Sequence, residues 1–188
     1  MKNQKTFLIA EGAVCSALAI LLSLIPIEFG PYSAFNLSLG MIPVSIYAVR
    51  RGVAPALAVG LVWGLLHFAI GKVYFLTMPQ FLLDYILAFT ATGLFGVFSK
   101  QIKASINERA KPVIYTILSA FIASFARHFF AFLSGGIFFG EYAPEGFNGW
   151  IYSLAFNGLN ALANFIMLSV VISIIIKSAK NLIFYKTE

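Results

Sequence analysis

Charge is what this sequence has least of. Charged residues make up 11% of the 188, against about 25% in a soluble globular domain, and only seven are acidic. With 60% hydrophobic residues and a mean hydropathy of +0.90, the solvent for this chain is a bilayer. One cysteine, Cys15, excludes an internal disulfide, and its apolar setting reads as an inert buried thiol. Two histidines, His67 and His128, have no cysteine cluster or carboxylate pair beside them, which argues against a metal site. No phosphate-binding loop, nucleophile elbow or zinc-protease motif occurs, so the chain does not read as an enzyme. Any ATP hydrolysis would come from a partner. No internal repeat is visible either, which argues against the usual inverted-repeat secondary transporter.

What is present is a series of apolar stretches, each near the roughly 20 residues a spanning helix needs. They predict an all-α integral membrane protein, one six-helix domain over 1–188, with spans near 7–25, 36–49, 53–70, 74–98, 112–138 and 150–176. The second is short, opening on Asn36 and Ser38 and stopped by Arg50-Arg51-Gly52, and the fourth is open to a break or re-entrant turn near Pro79. Lys2 and Lys5 before an apolar run resemble a signal peptide, but Ala17-Leu18-Ala19 falls inside the run, so an uncleaved first span is expected.

The net charge of +6 lies mostly in loops and not in a nucleic-acid patch. With the N-terminus inside, the cytoplasmic segments collect Lys2, Lys5, Arg50, Arg51, Lys100, Lys103, Arg109, Lys111, Lys177, Lys180 and Lys186, while the outer loops hold Lys72. That asymmetry predicts a multi-pass protein of the cell membrane with both termini cytoplasmic. Glu28, Glu141 and Glu145 leave the outer mouth mildly acidic, which suits a cationic ligand.

Asp84 is the acidic residue well inside a span. A carboxylate at membrane depth costs about 2.5–3.5 kcal/mol, so it reads as the anionic pole of a small-molecule site or as the partner of buried Arg127. On the sixth span Ser153, Asn157, Asn160 and Asn164 share one helical face. Asn160 and Asn164, lying deeper, read as helix–helix hydrogen bonds, and Tyr152 and Asn157, nearer the mouth, as ligand contacts. His128 reads either as a packed histidine or as a ligand contact. Tyr32, Tyr74, Tyr85, Phe138, Phe139 and Tyr142 fall near the outer face, where some could stack on a flat or cationic ring. Ala13 and Ala17 form a small-xxx-small pair that admits another helix, either from within the chain or from a partner.

Arg50-Arg51-Gly52, Leu82-Leu83-Asp84-Tyr85, Ser134-Gly135 with Phe138-Phe139-Gly140, and Trp150-Ile151-Tyr152-Ser153-Leu154 with Asn157 together carry a family resemblance. Along nearly its whole length the chain resembles the thiamine-binding S components of energy-coupling factor (ECF) vitamin transporters. The resemblance implies a six-helix protein that captures thiamine from outside, without a cofactor, and docks on one transmembrane T component and two cytoplasmic ATPases. The family's docking motif falls on Ala13 and Ala17, its acidic residue and following tyrosine on Asp84 and Tyr85, and its sixth-helix tyrosine and asparagine on Tyr152 and Asn157. Phe139, His128 and Tyr32 are then expected as stacking or lid contacts, with residues 26–35 closing the site. Two departures alter one side of the pocket. Ala131 stands where members carry histidine, and Pro31-Tyr32 and Phe139 stand where some carry tryptophan. Other readings keep the fold and change the ligand to another vitamin or a pyrimidine precursor, or make Asp84, Arg127 and His128 the relay of a proton-coupled carrier.

Overall fold

A computed structural model describes residues 2–29, 35–71, 73–140, 143–144, 146 and 148–184. Six helices carry the fold: α1 (Lys2–Ser23), α2 (Met41–Arg51), α3 (Val53–Ala69), α4 (Met78–Ala104), α5 (Lys111–Phe138) and α6 (Gly149–Ser178). Four of them, α1, α4, α5 and α6, are long and apolar enough to cross a membrane, and α3 is a shorter apolar helix. Between α1 and α2 the strands β1 (Glu28–Phe29) and β2 (Phe35–Asn36) pair antiparallel.

The helices are turned inside out relative to a soluble bundle. On α6 Ser153, Asn160, Ala161 and Asn164 are buried, while Ile151, Leu154, Leu159, Leu162 and Ile166 are exposed. On α1 Gly12, Ser16 and Ala19 face the bundle, and Ile9, Val14 and Leu18 face out. In a bilayer leucine gains nothing by hiding, whereas small residues let backbones approach and polar ones need partners. Large apolar side chains still fill the centre, among them Trp63, Phe95, Met41, Leu168 and Ile172.

The second span begins later than its sequence predicts, at Met41 and not at 36. Eleven residues rise only about 16 Å, roughly half of a hydrocarbon core. The preceding backbone is extended, and the α6 asparagines explain why. Asn36 N–H donates to Asn160 Oδ1 (2.6 Å), Ser38 N–H donates to Asn164 Oδ1 (2.8 Å), and Asn164 Nδ2 donates to the Asn36 carbonyl (2.9 Å). These amides therefore clamp a non-helical segment instead of joining two helices. Irregular backbone at membrane depth is tolerated only when protein satisfies it.

The fourth span also departs from expectation. Pro79 does not break it, because it sits in the first turn of α4, where a missing N–H costs nothing. The irregularity comes just after, as a π-helical stretch over Leu82–Leu87 and a 3₁₀ stretch over Thr92–Phe98. Close approach to α3 accompanies the first: a Cβ on Gly64 would stand 2.0 Å from the Tyr85 carbonyl oxygen. Gly52 makes the abrupt turn from α2 to α3 with φ of 85°, a conformation that L side chains rarely adopt.

Midway along α1, Glu11 gathers both arginines of the Arg50-Arg51-Gly52 stop. Its carboxylate pairs with Arg50 Nε and accepts from Arg51 Nε at 2.7 Å. Arg50 also donates to the Leu182 carbonyl, and Lys103 Nζ donates to the Arg50 carbonyl (3.1 Å), so one cluster ties α1, α2, α4 and the tail.

Two substitutions test this account by thermal unfolding in detergent. Gly64→Ala forces α3 off the π-helical turn and should destabilise by about 1–3 kcal/mol. Asn164→Ala strands the Asn36 carbonyl and the Ser38 N–H and should cost about 1–3 kcal/mol, whereas Leu162→Ala, on the exposed face, should cost well under that.

Candidate functional site

One cavity of about 830 Å³ opens between α4, α5, α6 and the segments that precede α4 and follow α5. Asp84 lines it from α4; Ala131, Ser134 and Gly135 from α5; Tyr152, Ser153, Phe156 and Asn157 from α6; Tyr74, Phe139 and Pro144 complete it. The volume is that of a small-molecule site, and the walls are mostly apolar with a few convergent polar groups.

Local geometry explains how each polar group is presented. The π-helical stretch carries Asp84 and Tyr85, and such widened turns are frequent at functional sites because they re-aim side chains. Asp84 is half-buried, and its Oδ2 accepts two hydrogen bonds, from Ser134 Oγ (2.8 Å) and Gln80 Nε2 (3.3 Å). Among the described residues Asp84 has no cationic partner and Oδ1 accepts no hydrogen bond. Across the cavity, Asn157 Nδ2 donates to the Ser153 carbonyl (3.0 Å), Ser153 Oγ (3.2 Å) and the Ala131 carbonyl (3.4 Å). That anchorage leaves its acceptor Oδ1 without a donor among the described residues. Ser153 Oγ in turn donates to the Phe132 carbonyl (2.8 Å), locking α6 against α5. The close approach there requires Gly136, where a Cβ would stand 2.2 Å from the Trp150 ring.

Four of the residues singled out in the sequence, Asp84, Phe139, Tyr152 and Asn157, thus share one cavity. Tyr85 stands behind the wall: its ring stacks between Phe81 (5.7 Å) and Phe89 (5.9 Å), and its Oη accepts from the Tyr74 N–H (3.0 Å). His128 is not a lining residue, and its Nδ1 lies 2.8 Å from the Ser124 carbonyl. Tyr32 lies outside the described residues. Ala13 and Ala17 are exposed on α1, away from the face that packs on α2 and α3.

Arg127 does not pair with Asp84. Its guanidinium lies over the rings of Phe89 (4.3 Å) and Trp63 (4.9 Å), and its buried Nη1 has no hydrogen-bond partner among the described residues. Two aromatic faces replace the carboxylate, a recognised way to hold a desolvated cation. No hydrogen bond among the described residues joins Asp84, Arg127 and His128 into a relay.

Sequence reading did not single out Gln80, Ser134, Ser153 and Phe156 as site residues. Gln80 carried a usable signal, standing four residues before Asp84 on the same helical face. Ser134 carried one only as part of the Ser134-Gly135 stretch of the family resemblance, and the packing of α5 on α4 is what brings it to the carboxylate.

Helices with polar groups turned inward, around a cavity lined by a carboxylate that has no cationic partner among the described residues, define an all-α multi-pass membrane protein built to enclose a small molecule. The chain belongs to the thiamine transporter protein family (Thia_YuaJ), which matches residues 9–184. It is 37% identical over 188 residues to the thiamine transporter ThiT of Lacticaseibacillus paracasei, covering 96% of this chain and 92% of that protein. Its identity to ThiT of Bacillus subtilis is 35% over 176 residues, covering 92% of each. The solved structure of ThiT from Listeria monocytogenes superimposes with a TM-score of 0.91 at 36% identity, covering 96% of this chain and 98% of that one. These relatives are named as transporters, and the chain is accordingly a multi-pass protein of the bacterial plasma membrane.

The unpaired arrangement of Arg127 sets an expectation. Breaking a buried ion pair costs about 3–5 kcal/mol by stranding the other charge. Arg127→Met removes no such partner and trades a cation–π contact for relief of desolvation, so it should shift stability by about 1 kcal/mol or less in detergent unfolding.

Proposed function

We propose that this protein is the substrate-capture subunit of an ECF-type importer. It binds thiamine from the outer side and passes it to a T component driven by two ATPases. The observation that carries the reading is Asp84, a carboxylate on an apolar cavity, held by two neutral donors and with no cationic partner among the described residues. An ionised carboxylate in that setting is complete only when a ligand supplies positive charge. Thiamine has a fixed positive charge on its thiazolium ring and a polar aminopyrimidine.

In this reading Asp84 supplies the negative charge and accepts from the ligand through Oδ1. Asn157, with an open acceptor, and Tyr152 meet polar groups of the pyrimidine, while Phe139 and Phe156 offer ring faces. Tyr85 acts from behind, by holding Tyr74 in the wall. Tyr32 keeps the stacking or lid role expected of it from the sequence, whereas His128, which does not line the cavity, is given no ligand contact. The basic residues place both termini in the cytoplasm, which puts the Tyr74, Phe139 and Pro144 end of the cavity on the outside. Exposed Ala13 and Ala17 leave a close-approach surface for the T component, and the six helices act as one binding domain.

Titration of the detergent-purified protein, without ATP, with thiamine, riboflavin and the isolated pyrimidine tests the assignment. Saturable, selective thiamine binding is expected. Asp84→Asn should weaken it by about 100-fold, the scale of losing one partner of a buried charge pair. Near-normal affinity in that variant, or preference for riboflavin or the free pyrimidine, would overturn the ligand assignment. Uptake by the protein alone in liposomes under a proton gradient would overturn the capture role.

A further inference from the structure

Gln80 is buried, with 1% of its surface exposed, and its amide is used at both ends. Oε1 accepts from the Leu76 N–H (2.6 Å), and because a backbone N–H can only donate, Nε2 is left to face Asp84 Oδ2 (3.3 Å). Ser134 Oγ donates to that same oxygen. Two donors on Oδ2 fix the carboxylate rotamer and leave Oδ1 as the atom offered to the cavity. Leu76 belongs to the non-helical segment 73–77 that leads into α4. A second tie secures it, the Tyr74 N–H donating to Tyr85 Oη (3.0 Å), and Tyr74 lines the cavity. Thr77 closes the segment onto the helix by accepting from the Gln80 N–H. The carboxylate and the outer wall are therefore joined through one side chain.

We propose that Gln80 is the positioning residue that aims the Asp84 carboxylate and couples it to the 73–77 wall, making that segment respond to what occupies Asp84. The proposal rests on Asp84 being the group that meets the cationic ligand. It follows from reach: the Gln80 amide spans from the Leu76 N–H to Oδ2, and neither an apolar isostere nor a shorter amide does both. Without it Asp84 keeps only Ser134, can swing Oδ1 out of line, and no longer feels the wall. The segment then keeps the Tyr74–Tyr85 bond and the Thr77 cap on the Gln80 backbone N–H, and the Leu76 N–H loses its acceptor.

The test combines a mutant cycle with amide hydrogen exchange on the full chain in detergent. Gln80→Met should weaken thiamine binding about tenfold when Asp84 is present, the scale of one hydrogen bond to a charged group, and less than about twofold in an Asp84→Asn background. A merely structural role would lower affinity equally in both backgrounds, and that result would overturn the proposal. Without ligand, Gln80→Met should also speed exchange of the Leu76 amide about tenfold; unchanged exchange would overturn the tie to the wall. Should Gln80→Met fail to fold, Gln80→Asn serves, being one methylene too short to reach both partners. Thiamine binding failing in folded wild-type protein would defeat the functional reading instead, and the exchange experiment would still decide the tie.

Discussion

A carboxylate set in a membrane-spanning helix with no counter-ion among the described residues is the constraint on which the site depends. Lipid offers no partner at that depth, so every polar group needs one from the protein, from a ligand or from water in a cavity. Asp84 receives one hydroxyl and one amide on a single oxygen, which is enough to orient it but not to neutralise it. In the proposed function the remaining demand is met by the cationic ligand. Arg127 stays away from Asp84, which leaves that position to the cationic ligand the proposed function calls for. Its charge is absorbed by Phe89 and Trp63 instead, and Phe89 stacks on Tyr85 at the π-helical turn.

The rest of the bundle solves versions of the same problem. Asn160 and Asn164 satisfy extended backbone where a helix would have satisfied itself, and this allows a strand pair and a short α2 beside the cavity. Ser153 and Asn157 bond to α5 carbonyls and to each other, so that α5 and α6 form a fixed back wall. The wall before α4 is built differently. It has no sheet or helix, and three side chains of α4 and its cap hold it in place. Rigid helices on one side and a tethered segment on the other suit a site that must admit a ligand and then hold it.

Much of this was legible in the sequence because the bilayer writes in bulk quantities. The boundaries of the fifth and sixth spans fell within two residues of α5 and α6, since long apolar runs between basic or glycine-rich ends leave few alternatives. Asp84 announced itself by its cost. The α6 polar face was visible from its spacing, but what it touches was not: Asn160 and Asn164 reach a strand more than a hundred residues earlier. The start of α2 at Met41 escaped the sequence for the same reason, because the amides that hold Asn36 and Ser38 in extended backbone come from a distant helix.

By itself the sequence determined the solvent, the six apolar elements, the asymmetry of charge and the one acidic residue at depth. All of these follow from composition and spacing along the chain. The tertiary structure alone decided which polar groups meet. It set Ser134 and Gln80 on Asp84, put Arg127 between two rings, and turned Ala13 and Ala17 outward while Gly12 and Ser16 turned in. Hydropathy is a sum over residues and can be read in one dimension. A hydrogen bond requires two atoms within about 3 Å, and only the packed bundle brings them there.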